Sequence, residues 1–115
     1  MADTEAMGFQ RLTPIHSLHE ESPELADSID EFVVGLGEWI DGLQDSHAAQ
    51  DLAEVEKRAE GHAERSDALG YPSLRDGAGA VAQAAHAGDL EAARKAIGDL
   101  IELVQRVRLG HRSAA

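Results

Sequence analysis

The sequence predicts an all-α protein: an antiparallel four-helix bundle with a short irregular N-terminal segment. Apolar residues make up 43% of the 115 residues, which is enough for one packed core, while aromatic residues are only 3%. Alanine and leucine supply most of the apolar side chains, a mixture that favours helices over sheets. Apolar residues also recur in steps of three and four along most of the chain, which is the helical period.

The first predicted helix runs from about 23 to 46. Ser22 and Pro23 form a start signal, since a hydroxyl residue is a favoured N-cap and proline suits the first helical position. The apolar positions that follow are three or four residues apart over most of their length: Leu25, Ile29, Phe32, Val33, Leu36, Ile40 and Leu43. Residues 1–14 show no clear period, so they are predicted to form a flexible N-terminal segment.

The second predicted helix opens near Gln50 and Asp51 and ends before Gly70, because glycine is a common C-terminal stop. Its apolar side consists of positions separated by three and four residues: Leu52, Val55, Ala59, His62, Ser66 and Leu69. His62 is therefore predicted to face the core. Glu60 falls on a different, outward side of the same helix.

The third predicted helix, about 72–87, starts at Pro72 and carries few large side chains, so we expect it to lie close to its neighbours. Gly88 and Asp89 are predicted to end the third helix and to begin the fourth. The fourth helix follows from about Leu90 and is predicted to end at Gly110, which leaves residues 111–115 as a C-terminal tail and 15–110 as the folded unit. Short turns between amphipathic helices favour antiparallel packing.

Charge and composition exclude several classes of function. The formal net charge of −12 disfavours binding to nucleic acid or to an anionic membrane surface. The chain has no cysteine, which excludes disulfides, thiol nucleophiles and thiolate metal sites. The most apolar stretch, 32–40, is too short to span a bilayer, and the N-terminus lacks the pattern of a signal peptide. We therefore expect a cytoplasmic protein.

Neither a metal site nor a nucleotide site is predicted, and no cofactor is expected. His16 and His19 form an H-x-x-H pair without an obvious third ligand, and no histidine has a glutamate three residues before it. Gly77 and Gly79 form a G-x-G fragment, but it lies within a helical period with no preceding strand, which favours close helix packing. Trp39 lies next to the apolar side of the first helix and is predicted to be a partly buried anchor.

The order of these segments resembles the histidine-containing phosphotransfer (Hpt) domain family over about residues 15–108. The strings PELADSIDEFV, LGYP and AGDLEAARKAI carry the resemblance, in that order along the chain. The resemblance implies a bundle with no catalytic activity of its own, in which an exposed histidine midway along one helix carries a phosphoryl group. The implied partner is the receiver domain of a response regulator, which supplies an acidic pocket and Mg²⁺, or a histidine kinase.

The residues at the reactive centre depart from the family motif, which reads H-x-L-K-G-x-x-x-x-(aromatic or Leu)-G. Anchoring that motif on the Leu-Gly pair at 69–70 places the phosphoacceptor on Glu60, the leucine on His62, the lysine on Ala63 and the glycine on Glu64. A carboxylate cannot form the N–P bond of phosphohistidine. The resemblance therefore implies a degenerate Hpt-like interaction module of two-component signalling, without phosphotransfer. Its partner-binding face consists of Glu56, Glu60, Ala63, Glu64 and Asp67.

Two alternatives remain open. An active phosphotransfer protein would use His62 as the phosphoacceptor, whereas we favour a partly buried His62 that hydrogen-bonds to a neighbour in the bundle. A helical adaptor or oligomerisation domain unrelated to phosphorelay is the other alternative, and the sequence does not determine the oligomeric state. The acidic face around Glu60 also opposes an acidic receiver pocket, unless Mg²⁺ or a basic rim intervenes.

Overall fold

The computed structural model describes residues 13–114, with the side chains of residues 13–111. This range contains five α-helices and no strand, so the predicted all-α fold class is confirmed. The helices are α1 (Ala26–Val34), α2 (Leu36–Ala48), α3 (Leu52–Ala68), α4 (Pro72–His86) and α5 (Leu90–Ala114). None of them combines the length and the apolar character needed to cross a membrane. Most of the segment predicted to be flexible, residues 1–14, lies outside the described residues.

The prediction of one unbroken first helix is wrong, because α1 and α2 are separated at Gly35. The interruption is local: Gly35 keeps a near-helical backbone with φ −82° and ψ −4°. Its N–H donates to the Glu31 carbonyl at 3.0 Å, and the Trp39 N–H donates to the Gly35 carbonyl at 3.0 Å. Glycine is among the least favourable residues in a helix interior, which gives a physical reason for the break at this position.

The start signal at Ser22 and Pro23 also lies earlier than the helix itself. These residues belong to a turn in which the Leu25 N–H donates to the Ser22 carbonyl at 3.2 Å. Regular helical bonding begins when the Ile29 N–H donates to the Leu25 carbonyl at 2.9 Å. Proline therefore shapes the turn that precedes α1 and does not occupy the first position of the helix.

The predicted boundaries of α3 and α4 agree with the structure. The Asp51 carboxylate caps α3 by accepting a hydrogen bond from the Glu54 N–H at 3.1 Å. Gly70 follows α3 with a φ of +85°, a left-handed conformation that side chains rarely adopt. A Cβ at Gly70 would also lie 2.7 Å from the Ser17 hydroxyl oxygen. Pro72 is the first residue of α4.

The last helix is longer than predicted, because α5 does not end at Gly110 and residues 111–114 continue it. A Cβ added at Gly110 would overlap the backbone carbonyl of Ile15. The Ile15 N–H in turn donates to the Arg106 carbonyl at 3.0 Å. Gly110 therefore marks a close contact with the N-terminal segment and not the end of the helix.

All five helices contribute to the core, α1 through Ile29, Phe32 and Val33. Each of α2, α3, α4 and α5 packs against its neighbour in the chain, and α2 also packs against α5. The shorter α1 packs against α5. Gly77 brings α4 close to α5, since a Cβ there would lie 2.9 Å from Leu103 and 3.0 Å from Leu100. The expected close packing of the third predicted helix is confirmed. The fully buried large side chains include Leu36, Leu43, Val55, Tyr71, Leu74 and Leu100.

Candidate interaction face on α3

The five residues predicted to bind a partner lie together on one side of α3, and we call this surface the α3 face: Glu56, Glu60, Ala63, Glu64 and Asp67. Glu60, Glu64 and Asp67 are exposed, whereas Glu56 and Ala63 are partly buried. Their spacing of three and four residues is what places them on one side of the helix. The outward position predicted for Glu60 is therefore confirmed, while its role is a separate question.

Residues of α4 lie beside the α3 face, and sequence reasoning did not find them. The His86 Nδ1 atom lies 3.0 Å from a carboxylate oxygen of Glu56. The Arg75 guanidinium donates to the Asp67 carboxylate at 2.8 Å. Arg75, Asp67 and His86 are exposed to solvent and Glu56 is partly buried, so each pair contributes little to stability. The spacing of Arg75 and His86 in the sequence could have placed both on one side of α4, since they lie about three helical turns apart. Both are exposed in the structure.

A hollow of about 300 Å³ between α3 and α4 is lined by Glu56, Glu60, Ala82, Gln83 and His86. Within residues 13–111, neither Glu60 nor Glu64 forms an ion pair. Glu60 and Glu64 are four residues apart on the helix, where like charges repel one another. Their repulsion destabilises α3 slightly. The centre of the α3 face is therefore an uncompensated negative charge that solvent and a partner can reach.

His62 lies on the inner side of α3 and is only 8% exposed. Its ring stacks between Trp39, at a centroid distance of 3.6 Å, and Phe32, at 4.9 Å. The core-facing position predicted for His62 and the partly buried position predicted for Trp39 are confirmed. The expected hydrogen bond to a neighbour is wrong for Nε2, which has no partner among the described residues. The buried Ser66 hydroxyl, one turn further along α3, lacks one too.

The environment of His62 favours the neutral imidazole. Burial, followed by the positive charge of Arg65, lowers the pKa of His62 from its usual 6.5 to about 4. Arg65 itself lies over the Phe32 ring, 5.9 Å from its centroid, at the edge of a cleft of about 230 Å³. A phosphoacceptor needs a ring nitrogen that a phosphoryl donor can approach, and burial of the Nε2 atom of His62 opposes this.

The other candidate residues do not join the α3 face. His16 of the H-x-x-H pair lies in the segment before α1, where its Nδ1 atom is 3.1 Å from a carboxylate oxygen of Glu20. Within residues 13–111, no group of three or more histidine, aspartate or glutamate side chains is arranged to hold a metal ion. The G-x-G fragment lies inside α4, where Gly77 packs against α5 and has no loop geometry for a nucleotide.

In comparisons with known proteins, the chain matches no family model, no curated protein and no solved structure. The resemblance to Hpt domains therefore remains a prediction from the sequence.

Proposed function

We propose that this chain is a degenerate Hpt-like module of two-component signalling that binds a receiver domain or a histidine kinase through the α3 face. It acts by binding and transfers no phosphate itself. The observation that most supports the proposal is the register of α3. Glu60, where the resemblance implies the phosphoacceptor, is exposed, whereas His62, the nearest histidine, is buried between two aromatic rings.

In this proposal, α1 and α2 together correspond to the first helix of an antiparallel four-helix bundle. The near-helical backbone of Gly35 supports that correspondence, as do the two hydrogen bonds of helical spacing that bracket it. The contacts that link α2, α3, α4 and α5 into a closed ring are also typical of a bundle. The short connections between these helices favour an antiparallel order.

Charge limits how such a partner can dock. Glu60 and Glu64 are not neutralised within the described residues, and a receiver pocket is itself acidic. We therefore expect contact through a basic rim of the partner, or through Mg²⁺ held in its pocket. Either arrangement makes binding sensitive to salt, since exposed charges are screened over about 8 Å at physiological ionic strength.

The binding experiment uses the ¹⁵N-labelled chain titrated with purified receiver domains and kinase domains, with Mg²⁺ present. Saturable chemical-shift changes should be confined to amides of α3 and α4. Glu60→Arg should weaken binding by about tenfold or more, because it reverses the charge at the centre of the face. Glu102→Arg is the matched control: Glu102 is exposed on α5, and the substitution makes the same change of charge.

A phosphorylation experiment separates the proposal from its main alternative. Incubation with a phosphorylated receiver or an active histidine kinase should leave no acid-labile phosphate on the chain. Label that appears on the natural sequence and disappears in His62→Ala would establish active phosphotransfer and overturn the proposal. If binding experiments recover only a second copy of the chain, or partners without receiver or kinase domains, the adaptor function is favoured.

A further inference from the structure

The N-terminal strap, residues 13–22, lies across the bundle and bonds both to α5 and to the turn between α3 and α4. It contains neither helix nor strand, and seven of its ten residues are exposed. Ser17 is its buried member, at 5% exposure, and Ile15 packs partly against the core. The strap therefore buries little apolar surface, and hydrogen bonds to the bundle account for much of its attachment.

The first part of the strap is seated on α5. The Ile15 N–H donates to the Arg106 carbonyl at 3.0 Å, and the Arg106 Nε atom donates to the Thr13 carbonyl at 2.8 Å. Gly110, one turn further along α5, leaves room for this contact, because a Cβ there would overlap the Ile15 carbonyl. Alanine would be the better helix former at this position, so the glycine serves the contact with the strap.

The second part of the strap is seated on the turn between α3 and α4. The Ser17 hydroxyl donates to the Leu69 carbonyl at 2.6 Å, and the Leu18 N–H donates to the Gly70 carbonyl at 2.9 Å. A Cβ at Gly70 would lie 2.7 Å from the Ser17 hydroxyl oxygen and 2.9 Å from the Leu18 nitrogen. Each of the two seats therefore depends on a glycine that lets the strap approach closely.

Ser17 connects the two seats. Its hydroxyl, besides donating to Leu69, accepts a hydrogen bond from the His19 N–H at 2.9 Å. Its carbonyl accepts one from the Glu20 N–H at 3.3 Å. Because a single residue separates Ser17 from Ile15 on the other seat, displacement of either residue changes the position of the other.

The strap does not pack closely on the side of α1. A half-open cavity of about 130 Å³ lies there, and four separate segments line it: His16 of the strap, Ile29 of α1, Tyr71 of the turn and His111 of α5. Segments with few buried apolar contacts open at a lower free energy than the helices of a core. The strap is therefore bound specifically but weakly, in contrast to the helices beneath it.

We propose that the strap is a latch, which opens as one unit while the five helices stay folded. When it is closed, it joins the turn between α3 and α4 to α5. When it is open, it releases the carbonyl groups of Leu69, Gly70 and Arg106 to solvent and uncovers this end of the bundle. The turn at residues 22–25, in which the Leu25 N–H donates to the Ser22 carbonyl at 3.2 Å, serves as the hinge. The latch is separate from the α3 face and does not depend on its function.

Native-state hydrogen exchange of the ¹⁵N-labelled chain, at urea concentrations below the unfolding transition, tests the latch. The amides of Ile15 and Leu18 report the two seats, since they donate to different parts of the bundle. We expect both amides to be protected, with one shared opening constant and the same weak dependence on urea. That constant should exceed the opening constant of Leu100, a fully buried residue of α5, by about 100-fold or more.

Variants test whether the strap opens as one unit. Gly110→Ala fills the space at the seat on α5 and should raise the opening constants of both amides about tenfold, including that of Leu18, which bonds to the other seat. Gly98→Ala is the matched control: it is the same substitution at an exposed site in α5, where a Cβ meets nothing within 4 Å, and it should leave both constants unchanged.

Ser17→Ala makes the same test from the other seat. It removes a buried hydrogen bond to the Leu69 carbonyl, so it should raise both opening constants about fivefold. The exchange of Leu100 should stay slow in this variant, as in Gly110→Ala. Circular dichroism spectra of all three variants verify that each remains helical.

Four results would overturn the proposal. The first is exchange of Ile15 and Leu18 as slow as that of Leu100, because the strap would then open only when the chain unfolds. The second is exchange of both amides without protection, because no closed latch would then exist. The third is a variant that changes only the nearer amide, which would make the seats two independent contacts. The fourth is an equal effect of Gly98→Ala and Gly110→Ala. None of these results bears on partner binding by the α3 face, so the two proposals fail independently.

Discussion

The two sides of α3 differ in both burial and charge. Glu60 and His62 are two residues apart, and the helix turns by about 200° between them. Glu60 is exposed and without an ion pair in the described residues, whereas His62 is 8% exposed and stacked between Trp39 and Phe32. The comparison teaches that the side of the helix, and not the residue type, decides which group a partner can reach.

A charge on the inner side should have the largest effect on stability. His62→Asp buries a carboxylate without a partner and removes the ring stacked on Trp39, so we expect the free energy of unfolding to fall by about 4 kcal/mol. Urea denaturation followed by circular dichroism measures the change. Glu60→Asn on the outer side should change stability by no more than about 0.5 kcal/mol. Similar losses of stability in the two variants would show that the inner and outer sides of α3 do not differ in their tolerance of substitution.

Acid should lower the stability of the chain through His62, on the inner side of α3. The pKa of His62 is lowered to about 4 in the folded chain from the usual 6.5, so the unfolded chain binds this proton more tightly. Its contribution to stability is therefore complete above about pH 6.5 and is lost as the pH falls to about 4, by roughly 3 kcal/mol.

Urea unfolding of the natural chain and of His62→Leu, at several pH values across that window, isolates this contribution. Acidic groups titrate in both proteins, so the difference between them reports His62 alone. His62→Leu should therefore lose less stability on acidification than the natural chain does. An identical pH dependence in the two proteins would mean that water reaches the His62 imidazole more than its burial indicates.

The α3 helix also shows how much of the molecule could be predicted from the sequence. Its start near Asp51, its stop at Gly70 and the inward side of His62 follow from local rules of spacing and helix termination, which depend on near neighbours in the chain. The aromatic partners of His62 could not be predicted, because Phe32 and Trp39 reach it from another part of the chain.

The roles of two glycines, Gly35 and Gly110, were predicted wrongly from the sequence. Gly35 was predicted to lie within a helix and interrupts it, while Gly110 was predicted to end a helix and lies inside one. The second case depends on the contact with Ile15, which is almost the whole length of the chain away. The cavity lined by His16, Tyr71 and His111 could not be predicted for a similar reason, since four separate segments form it.

A methyl group on the exposed side of α3 should have a smaller effect, of the opposite sign. Gly61 is exposed, and a Cβ there meets nothing within 4 Å, so Gly61→Ala should stabilise the chain by about 0.5–1 kcal/mol. Gly77→Ala is the matched control in α4, where a Cβ would lie 2.9 Å from Leu103, and it should give no gain. Both are measured by urea denaturation at neutral pH. A loss of stability in Gly61→Ala would show that this side of α3 has no room for an added methyl group.

The smallest effect concerns the repulsion between Glu60 and Glu64 on the outer side. Glu64→Lys replaces a like-charge pair four residues apart with an attractive pair in the favoured order, so stability should rise by about 0.3–0.5 kcal/mol. Because both side chains are exposed, the gain should largely disappear at about 1 M salt, where charges are screened within about 3 Å. The same substitution in a Glu60→Ala background is the control, and there the gain should be smaller because the partner charge is absent. If the gain is unchanged in that background or at high salt, the two carboxylates do not interact, and the negative charge of the α3 face is that of independent side chains.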